Sequence, residues 1–282
     1  MKNLIFGLLG IVFLFEVVYF NIVFDFLLLG LLFMTAISLG SFFKIKVFGI
    51  DKVLISLAVG LGSLGFLLWF STFYNFNYKS LYIVFSLSII FLRKNFLFEY
   101  FKIIKDFTKI IYNTHSILLL VLSISFMFYL IASSAPIHQY DALTKHIAIP
   151  FQMLNRTNWD YNVIESIVFG DYALLSYTLY LYLLALGGIK ALVILNTLLS
   201  FLLLVAILRI GSFLYKDKIY FILISLLYLS VPLIYSQSTI LYVDIIPLYF
   251  VFTAYLLVQY SSLRNIRTNI VLIGLIAGFA MF

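Results

Sequence analysis

The sequence predicts an all-α protein, a polytopic transmembrane helical bundle of about nine spans with an interfacial juxtamembrane helix and short helices in an outer loop. Two observations predict this fold class. Of the 282 residues, 65% are hydrophobic and 10% are charged, against roughly 25% charged in a typical soluble domain. Apolar runs that approach the ~20 residues needed to cross a bilayer recur along the chain, and most Lys and Arg residues lie between them.

Residues 1–92 form a predicted N-terminal membrane region of four spans. The apolar run 4–43 is too long for one span at about 1.5 Å per residue, and it divides near Asn21. No small-residue cleavage site precedes Phe20, so we expect the first run to persist as a helix. The predicted spans are 4–20, 22–43, 53–73 and 78–92.

A basic stretch, residues 93–113, follows this region. Isoleucines and aromatic residues are interleaved among its basic residues, which is typical of an amphipathic helix on the cytoplasmic face of a membrane. A solvated cytoplasmic connector is the alternative. The basic residues are Arg93, Lys94, Lys102, Lys105 and Lys109.

Residues 114–282 form the third predicted region, a membrane core. A polar segment, 136–171, interrupts its apolar runs and holds the outer loop with its helix-compatible sequence ALTKHIAIPFQML. The last run continues to Phe282 without a polar tail, so we expect the sequence to be a fragment of a longer protein. The apolar runs are 115–132, 172–186, 189–208, 219–234, 244–261 and 270–282.

The placement of charge orients the chain. Lys and Arg concentrate in cytoplasmic loops, which puts the N-terminus inside and the polar segment outside. If the run 172–186 crossed the membrane, Arg209 and Arg264 would lie outside, against this rule. The run is short for a span and rich in Tyr, as expected of a segment at headgroup level. We therefore predict that it lies along the outer interface, or dips into the membrane and returns, so that Asp141 and Asp244 share the outer face.

Asp141 and Asp244 are the candidate catalytic residues. Each precedes a helix-compatible sequence and could instead be a helix N-cap, since Asp is a preferred capping residue. Pro150 would then only kink the first helix, and Pro247 suits the first turn of the second. Capping does not exclude catalysis, because a helix N-terminus keeps a carboxylate ionised. Two carboxylates facing one cavity suit general-base activation of a hydroxyl.

The candidate substrate-binding residues lie near these carboxylates. His138 and Lys145 share the face of Asp141 on an ideal helix, whereas His146 points about 140° away. Arg156 offers a bidentate fork to a phosphate, and Lys145 offers a point charge. The histidines can equally be structural.

Neither a metal site nor a nucleotide site is indicated directly. A divalent cation stays open as a cofactor because several His, Asp and Glu residues share the polar segment, but spacings such as HxxxH and HExxH are absent. The absence of cysteine excludes thiolate ligands. Glycine-rich phosphate loops are also absent, and the basicity indicates orientation in a membrane, so we expect no nucleic-acid partner.

Two further carboxylates, Glu16 and Asp25, lie near the outer ends of the first two predicted spans. An ionisable group inside a membrane is a functional candidate by default. Near an interface its side chain can also reach the headgroups, and we give that interpretation more weight.

Three features in the core region resemble a known family. YDALTKHIAIPFQML lies in the polar segment, the Tyr-rich run ends in Gly187-Gly188, and SVPLIYSQSTILYVDIIPLYF follows later. This order is similar to the polyprenyl-phosphate-dependent membrane glycosyltransferases of the C superfamily, which include protein O-mannosyltransferases and aminoarabinose transferases. The matching residues are Asp141, Ala142, Leu143, His146, Tyr242 and Asp244, with Pro232 upstream.

The sequence departs from the family pattern in two ways. Four predicted spans precede the core region and the run 115–132 then leads into the polar segment, whereas the simplest members have one span before this loop. The usual Pro-x-x-x-Glu of the family appears as Ile167 and Asp171, which puts a role for Asp171 in doubt. The Trp-Trp-Asp-Tyr-Gly motif of oligosaccharyltransferases is absent, so transfer of a whole oligosaccharide to asparagine is not indicated.

The resemblance implies a multi-pass enzyme of the cell membrane that moves a sugar from a polyprenyl-phosphate donor to a hydroxyl of a lipid or protein acceptor at the outer face. Asp141 would be the base, Asp244 would line the same cavity, and Tyr242 would contact substrate. The run 172–186 would be a juxtamembrane helix among membrane lipids. The main alternative is a transporter or lipid flippase without covalent chemistry, although the sequence shows no internal repeat. A third hypothesis is that the protein is a non-catalytic assembly subunit.

Overall fold

A computed structural model of the chain describes residues 2–74, 76–114, 116–137, 139, 142–155, 174–215, 217–261 and 266–282. Every regular element in these residues is helical, as the sequence predicts. The α-helices are α1 (Lys2–Tyr19), α2 (Val23–Gly40), α3 (Gly49–Phe73), α4 (Lys79–Leu92), α5 (Lys94–Thr114), α6 (Ser116–Ser133), α7 (Ala148–Asn155), α8 (Leu174–Leu186), α9 (Ile189–Leu214), α10 (Lys218–Ser230), α11 (Pro232–Thr239), α12 (Ile245–Ser261) and α13 (Ile266–Met281). A π-helix, Ala142–Ile147, directly precedes α7.

Four of these helices are long and apolar enough to cross a membrane: α2, α3, α6 and α9. Two bent pairs raise the number to six if each pair is one span: α4 with α5, bent by 77°, and α10 with α11, bent by 67°. The other apolar helices in the described residues are shorter. The chain is therefore a multi-pass membrane protein with four to six candidate spans, and the predicted count of nine is not confirmed.

Residues that favour turns lie between consecutive helices of the bundle. Asn21, between α1 and α2, has a φ of 51°, in the left-handed region that Asn tolerates better than most residues. Gly187, between α8 and α9, has a φ of 94°, which glycine adopts at little cost. Pro232 is at the first position of α11, where its missing N–H is not needed, and the chain bends there.

Helices α2 and α3 pack at very short range because glycine faces the contact. A Cβ atom at Gly40 would lie 1.9 Å from the carbonyl oxygen of Ser56, and one at Gly60 would lie 1.7 Å from that of Ala36. Small residues at such contacts let helix backbones approach each other, which is how helices associate in lipid. The pair packs against α9, which also contacts α6, α11 and α12 and forms the centre of the bundle.

An ionic network joins three helices at one end of the bundle. Arg209 on α9 donates from Nε to Asp51 Oδ1 at 2.7 Å and from its terminal nitrogen to Oδ2 at 2.8 Å, and the Tyr260 hydroxyl of α12 also donates to Asp51. Asp51, on α3, is fully buried. Lys52 pairs with Glu99 at 2.8 Å beside this network.

We call this end, with Lys52, Arg93 and Arg209, the basic end. Arg93 lies there because it donates to Ser41, at the C-terminus of α2. Basic residues from each of the three regions, Lys52, Arg93 and Arg209, thus share one end of the bundle. This arrangement agrees with the predicted parity, in which Arg209 lies on the same side as the earlier basic clusters.

The Tyr-rich run, where the structure describes it, is packed inside the bundle as α8, and its position relative to the membrane interface stays a prediction. None of the residues of α8 is exposed, and Tyr177, Tyr180 and Tyr182 are at most 2% exposed. Their hydroxyls bond inside the bundle, for example Tyr182 with Ser86 at 2.6 Å. The tyrosines therefore satisfy polar atoms of neighbouring helices, and their abundance does not indicate a headgroup position.

The two early carboxylates do not reach the headgroups as expected. Asp25 is 7% exposed and accepts the N–H of Ala191, in the first turn of α9, at 2.8 Å. Lys190 donates to the carbonyl of Phe20 at 2.8 Å beside it. Asp25 therefore caps a different helix from its own. Glu16 is also buried, and its Oε2 atom has no hydrogen-bond partner among the described residues.

The ionic network makes a testable prediction about stability. Asp51→Asn leaves the Arg209 charge without its buried partner, which typically costs about 3 kcal/mol. We expect a clear fall in the thermal midpoint of the detergent-solubilised protein. Lys52→Gln, at an exposed pair, is the control and should cost less than about 1 kcal/mol. Equal effects of the two substitutions would contradict a central role for the network.

The ends of the helices predict which loops share a side of the membrane. Single cysteines can be introduced freely because the chain has none. Cysteines at Lys44 and Asp217, which follow α2 and α9 at the basic end, should react with an impermeant maleimide from the same side. Cysteines at Lys79 and Ile189 should react only from the other side. Labelling of Lys44 and Asp217 from different sides would contradict the shared basic end.

Candidate functional site

The chain leaves helical geometry at residues 240–244, between α11 and α12, where Leu241 is buried and Asp244 is exposed. Asn196, which contacts this segment, lies seven residues into α9, about 10 Å from its start at 1.5 Å per residue. Non-helical backbone at membrane depth is tolerated only where protein buries it or where it lines a water-filled cavity. The segment 240–244 is therefore a candidate functional site.

Side chains from α8 and α9 satisfy the backbone of this segment. The carbonyl of Tyr242 accepts hydrogen bonds from the Tyr180 hydroxyl at 2.9 Å and from Asn196 Nδ2 at 2.5 Å. The Tyr180 hydroxyl also lies 2.9 Å from Asn196 Oδ1. Thr197 donates to the carbonyl of Ser238, just before the segment, at 2.8 Å. These bonds fix the segment in one position against α9.

His146 packs beside the segment. It lies on the π-helix and is 8% exposed, its Nδ1 atom is 3.3 Å from the Tyr177 hydroxyl, and its ring centroid is 5.8 Å from that of Tyr242. A π-helix has more residues per turn than the ideal α-helix for which the angle of 140° was predicted, and the angle between His146 and Asp141 stays a prediction. Short π-helical turns are rare and are frequent at functional sites.

The Tyr177 hydroxyl interacts with both His146 and the charge of Asp244. Tyr177 lies on α8, outside the candidate membrane-spanning helices. Burial, and then the nearby negative charge of Asp244, raise the pKa of the Tyr177 hydroxyl to about 12. The hydroxyl is therefore protonated at neutral pH and can donate a hydrogen bond to the imidazole.

Asp244 is exposed and is one of the residues that line a cavity of 260 Å³, with Ser176 and Phe282. It precedes the first residue of α12, the position of an N-cap, but the usual capping donors are missing. Pro247, three residues on, has no N–H, and the N–H of Ile246 bonds to the carbonyl of Val243 at 3.3 Å. In the described residues no hydrogen bond occupies the carboxylate. Capping alone therefore does not explain Asp244.

A second cavity, of 280 Å³, lies at the other half of the segment. Gln139, Val193, Ile240 and Leu241 are among its lining residues. The Tyr242 hydroxyl donates to Gln139 Oε1 at 3.2 Å, so Tyr242 connects the segment to the chain that follows α6. Residues of one short segment thus reach two cavities.

The structure brings together some of the predicted site residues. The rings of His146 and Tyr242 are in contact, and the imidazole lies 3.3 Å from the Tyr177 hydroxyl. The negative charge of Asp244 contributes to the raised pKa of that hydroxyl. Asp141, His138 and Arg156 lie outside the described residues, so a cavity shared by Asp141 and Asp244 stays a prediction. Lys145 lies on the π-helix, one residue before His146.

Several residues of the site were not identified from the sequence: Gln139, Ser176, Tyr177, Tyr180 and Asn196. Asn196 had a recognisable signal, because a polar amide in the middle of an apolar span is costly unless it bonds inside the protein. Among the described residues, no group of three or more His, Asp or Glu side chains could hold a metal ion.

Neither the protein families nor the curated proteins nor the solved structures that were compared with the chain contain a significant match to it. The function of the site is therefore inferred from its own residues. These are the Asp244 carboxylate, the buried imidazole of His146 and the hydroxyls of Tyr177, Tyr180 and Tyr242 around the non-helical segment 240–244.

Proposed function

We propose that this protein is a glycosyltransferase of the cell membrane that moves a sugar from a polyprenyl-phosphate donor to a hydroxyl of a lipid or protein acceptor. The observation that carries the proposal is the Asp244 carboxylate, which faces a cavity without its capping donors and beside the cluster of His146, Tyr177 and Tyr242. A donor of this kind has a tail that stays in lipid and a polar sugar phosphate that needs hydrogen-bonding groups. Polar side chains around a non-helical segment between membrane helices suit such a substrate.

The proposed reaction is an in-line displacement at the anomeric carbon. Asp141 accepts the proton of the acceptor hydroxyl while the hydroxyl oxygen forms a bond to that carbon. The bond between the anomeric carbon and the phosphate oxygen breaks, and the lipid phosphate departs with the electron pair. Lys145 or Arg156 stabilises the negative charge on the leaving phosphate.

Asp244 serves in this scheme as an acceptor for hydroxyl groups of the sugar. A carboxylate accepts hydrogen bonds only, whereas the neighbouring tyrosines can donate as well as accept. A charged acceptor makes stronger hydrogen bonds than a neutral one. Asp244 would therefore fix the orientation of the sugar, and His146 and Tyr242 would form the wall against which it packs.

The same proposal assigns an orientation. The basic end faces the cytoplasm, as the charge rule favours. The N-terminus lies on that side too, and the segment 240–244 opens toward the outer half of the membrane. The acceptor would then reach the site from outside, and the lipid tail of the donor would remain in the bilayer.

A transporter or lipid flippase is the alternative, and one observation favours it. The pair α10 and α11 is bent by 67° at Pro232, and discontinuous helices commonly form the substrate sites of transporters. Substrate turnover separates the two functions, since a transporter would move the lipid-linked sugar without breaking its bond to phosphate.

Asp244→Asn tests the role of the carboxylate. We expect a loss of transfer of about 10- to 100-fold in membranes that contain the full-length protein, because hydrogen bonds to charged groups contribute about 1.5–3 kcal/mol. The matched control is Asp217→Asn. Asp217 caps α10 by accepting the N–H of Ile219 at 3.1 Å, and Asn caps a helix nearly as well as Asp. Full activity of Asp244→Asn would remove it from the site.

A double substitution tests whether Asp141 and Asp244 act together. Asp141→Asn should lower the transfer rate by about 10² to 10⁴, the usual contribution of a general base. If both residues contact the same substrate, the double variant should lose less free energy of activation than the sum of the single losses. Strictly additive losses would place them in independent sites, and an active Asp141→Asn would leave Asp141 as a helix cap.

A further inference from the structure

A groove of 510 Å³ lies between α2, α3, α5 and α9, apart from the site at residues 240–244. We call it the α5 groove. Its walls are formed by hydrocarbon side chains, and many of these residues are only half-buried, so the groove is open. The hydroxyl of its one tyrosine, Tyr100, is paired with Ser56 at 2.7 Å. A polar ligand would therefore lose its water here without gaining hydrogen bonds.

The α5 groove is long as well as apolar. On α2 its lining extends from Phe26 to Ile37, about 16 Å at 1.5 Å per residue. Gly30 lies between these two residues, and a Cβ atom built there meets nothing within 4 Å. The groove therefore has the length and the chemistry for a hydrocarbon chain, and Gly30 leaves room for one.

Helix α5 adds positive charge beside the groove. It turns by 77° away from α4 at the basic end. Leu97, Phe101 and Ile104 face the groove from α5. Lys105 and Lys109 follow Phe101 at four and eight residues, so they lie on the same flank of the helix, and both are exposed. Lysines on such a flank attract anionic lipid headgroups.

We propose that the α5 groove binds an acyl chain of an anionic phospholipid from the surrounding bilayer, with its headgroup held by Lys105 and Lys109. The apolar walls select a hydrocarbon chain, and the lysines select a negative headgroup over a zwitterionic one. Bound in this way, the lipid holds the amphipathic helix α5 against α2 and α9. The proposal does not depend on the glycosyltransferase function.

Photocrosslinking tests the occupant directly. The full chain is placed in vesicles of phosphatidylcholine with a small fraction of phosphatidylglycerol that carries a photoactivatable acyl chain. We expect crosslinked peptides from α2 and α9 that contain lining residues such as Gly30 and Leu202. The same label on phosphatidylcholine should crosslink these peptides less. Equal crosslinking by the two lipids would overturn the selection by charge.

Gly30→Leu fills the groove and should abolish these crosslinks. Gly274→Leu on α13 is the matched control, because a Cβ atom there also meets nothing within 4 Å and Gly274 is not part of the groove. The control should crosslink like the wild type. Undiminished crosslinking of a folded Gly30→Leu variant would overturn the groove as the binding place.

The lysines provide a second, surface variant that does not alter the core. Lys105→Gln with Lys109→Gln should lower the preference for phosphatidylglycerol over phosphatidylcholine by about fivefold for each lysine. Lys79→Gln, an exposed lysine at the other end of the bundle, should leave the preference unchanged. Loss of the crosslinks on addition of unlabelled polyprenyl phosphate, but not of unlabelled phosphatidylglycerol, would overturn the proposal in favour of a donor lipid.

Discussion

The whole structure depends on one constraint: a polar group inside a bundle that faces lipid must find its partner within the protein. Tyrosine often meets this need between helices in the described residues. The Tyr249 hydroxyl donates to the carbonyl of Leu54 at 2.8 Å, and that of Tyr129 donates to the carbonyl of Leu229 at 3.2 Å. Each such bond joins two helices through an apolar ring. The segment 240–244 is the strongest case, because Tyr180 and Asn196 both donate to the carbonyl of Tyr242 within it.

The carboxylates at the two ends of the bundle differ in their hydrogen-bond partners. At the basic end Asp51 is buried and accepts two hydrogen bonds from Arg209, so its charge stabilises the packing of α3 against α9. Toward the other end Asp244 faces a cavity and lacks capping donors. A carboxylate whose bonds are already filled by protein cannot bind a substrate, whereas one that faces a cavity can. This contrast, more than the number of charged residues, distinguishes structural carboxylates from candidate catalytic ones in this chain.

Most helices could be predicted from the sequence, because an apolar run in a membrane protein has few alternatives to a helix. The runs 22–43 and 189–208 correspond closely to α2 and α9. The surroundings of α8 could not be predicted, since tyrosines suit both a headgroup layer and a polar interior. The position of His146 depends on a π-helix that no residue pattern announces. Asp244 was identified from the sequence, where Pro247 already removes one capping donor, but the bond that occupies the N–H of Ile246 appears only in the backbone geometry.

The bond from Asp25 to the N–H of Ala191 joins positions 166 residues apart. It has a consequence for the order of assembly during synthesis. The N-terminal hairpin leaves the ribosome long before α9, so its carboxylate is in place when the central helix arrives. The early spans then act as a template that receives α9 and supplies its missing cap. The N-terminal helices thus supply a cap to the central helix, and the core separated from them would lose this hydrogen bond.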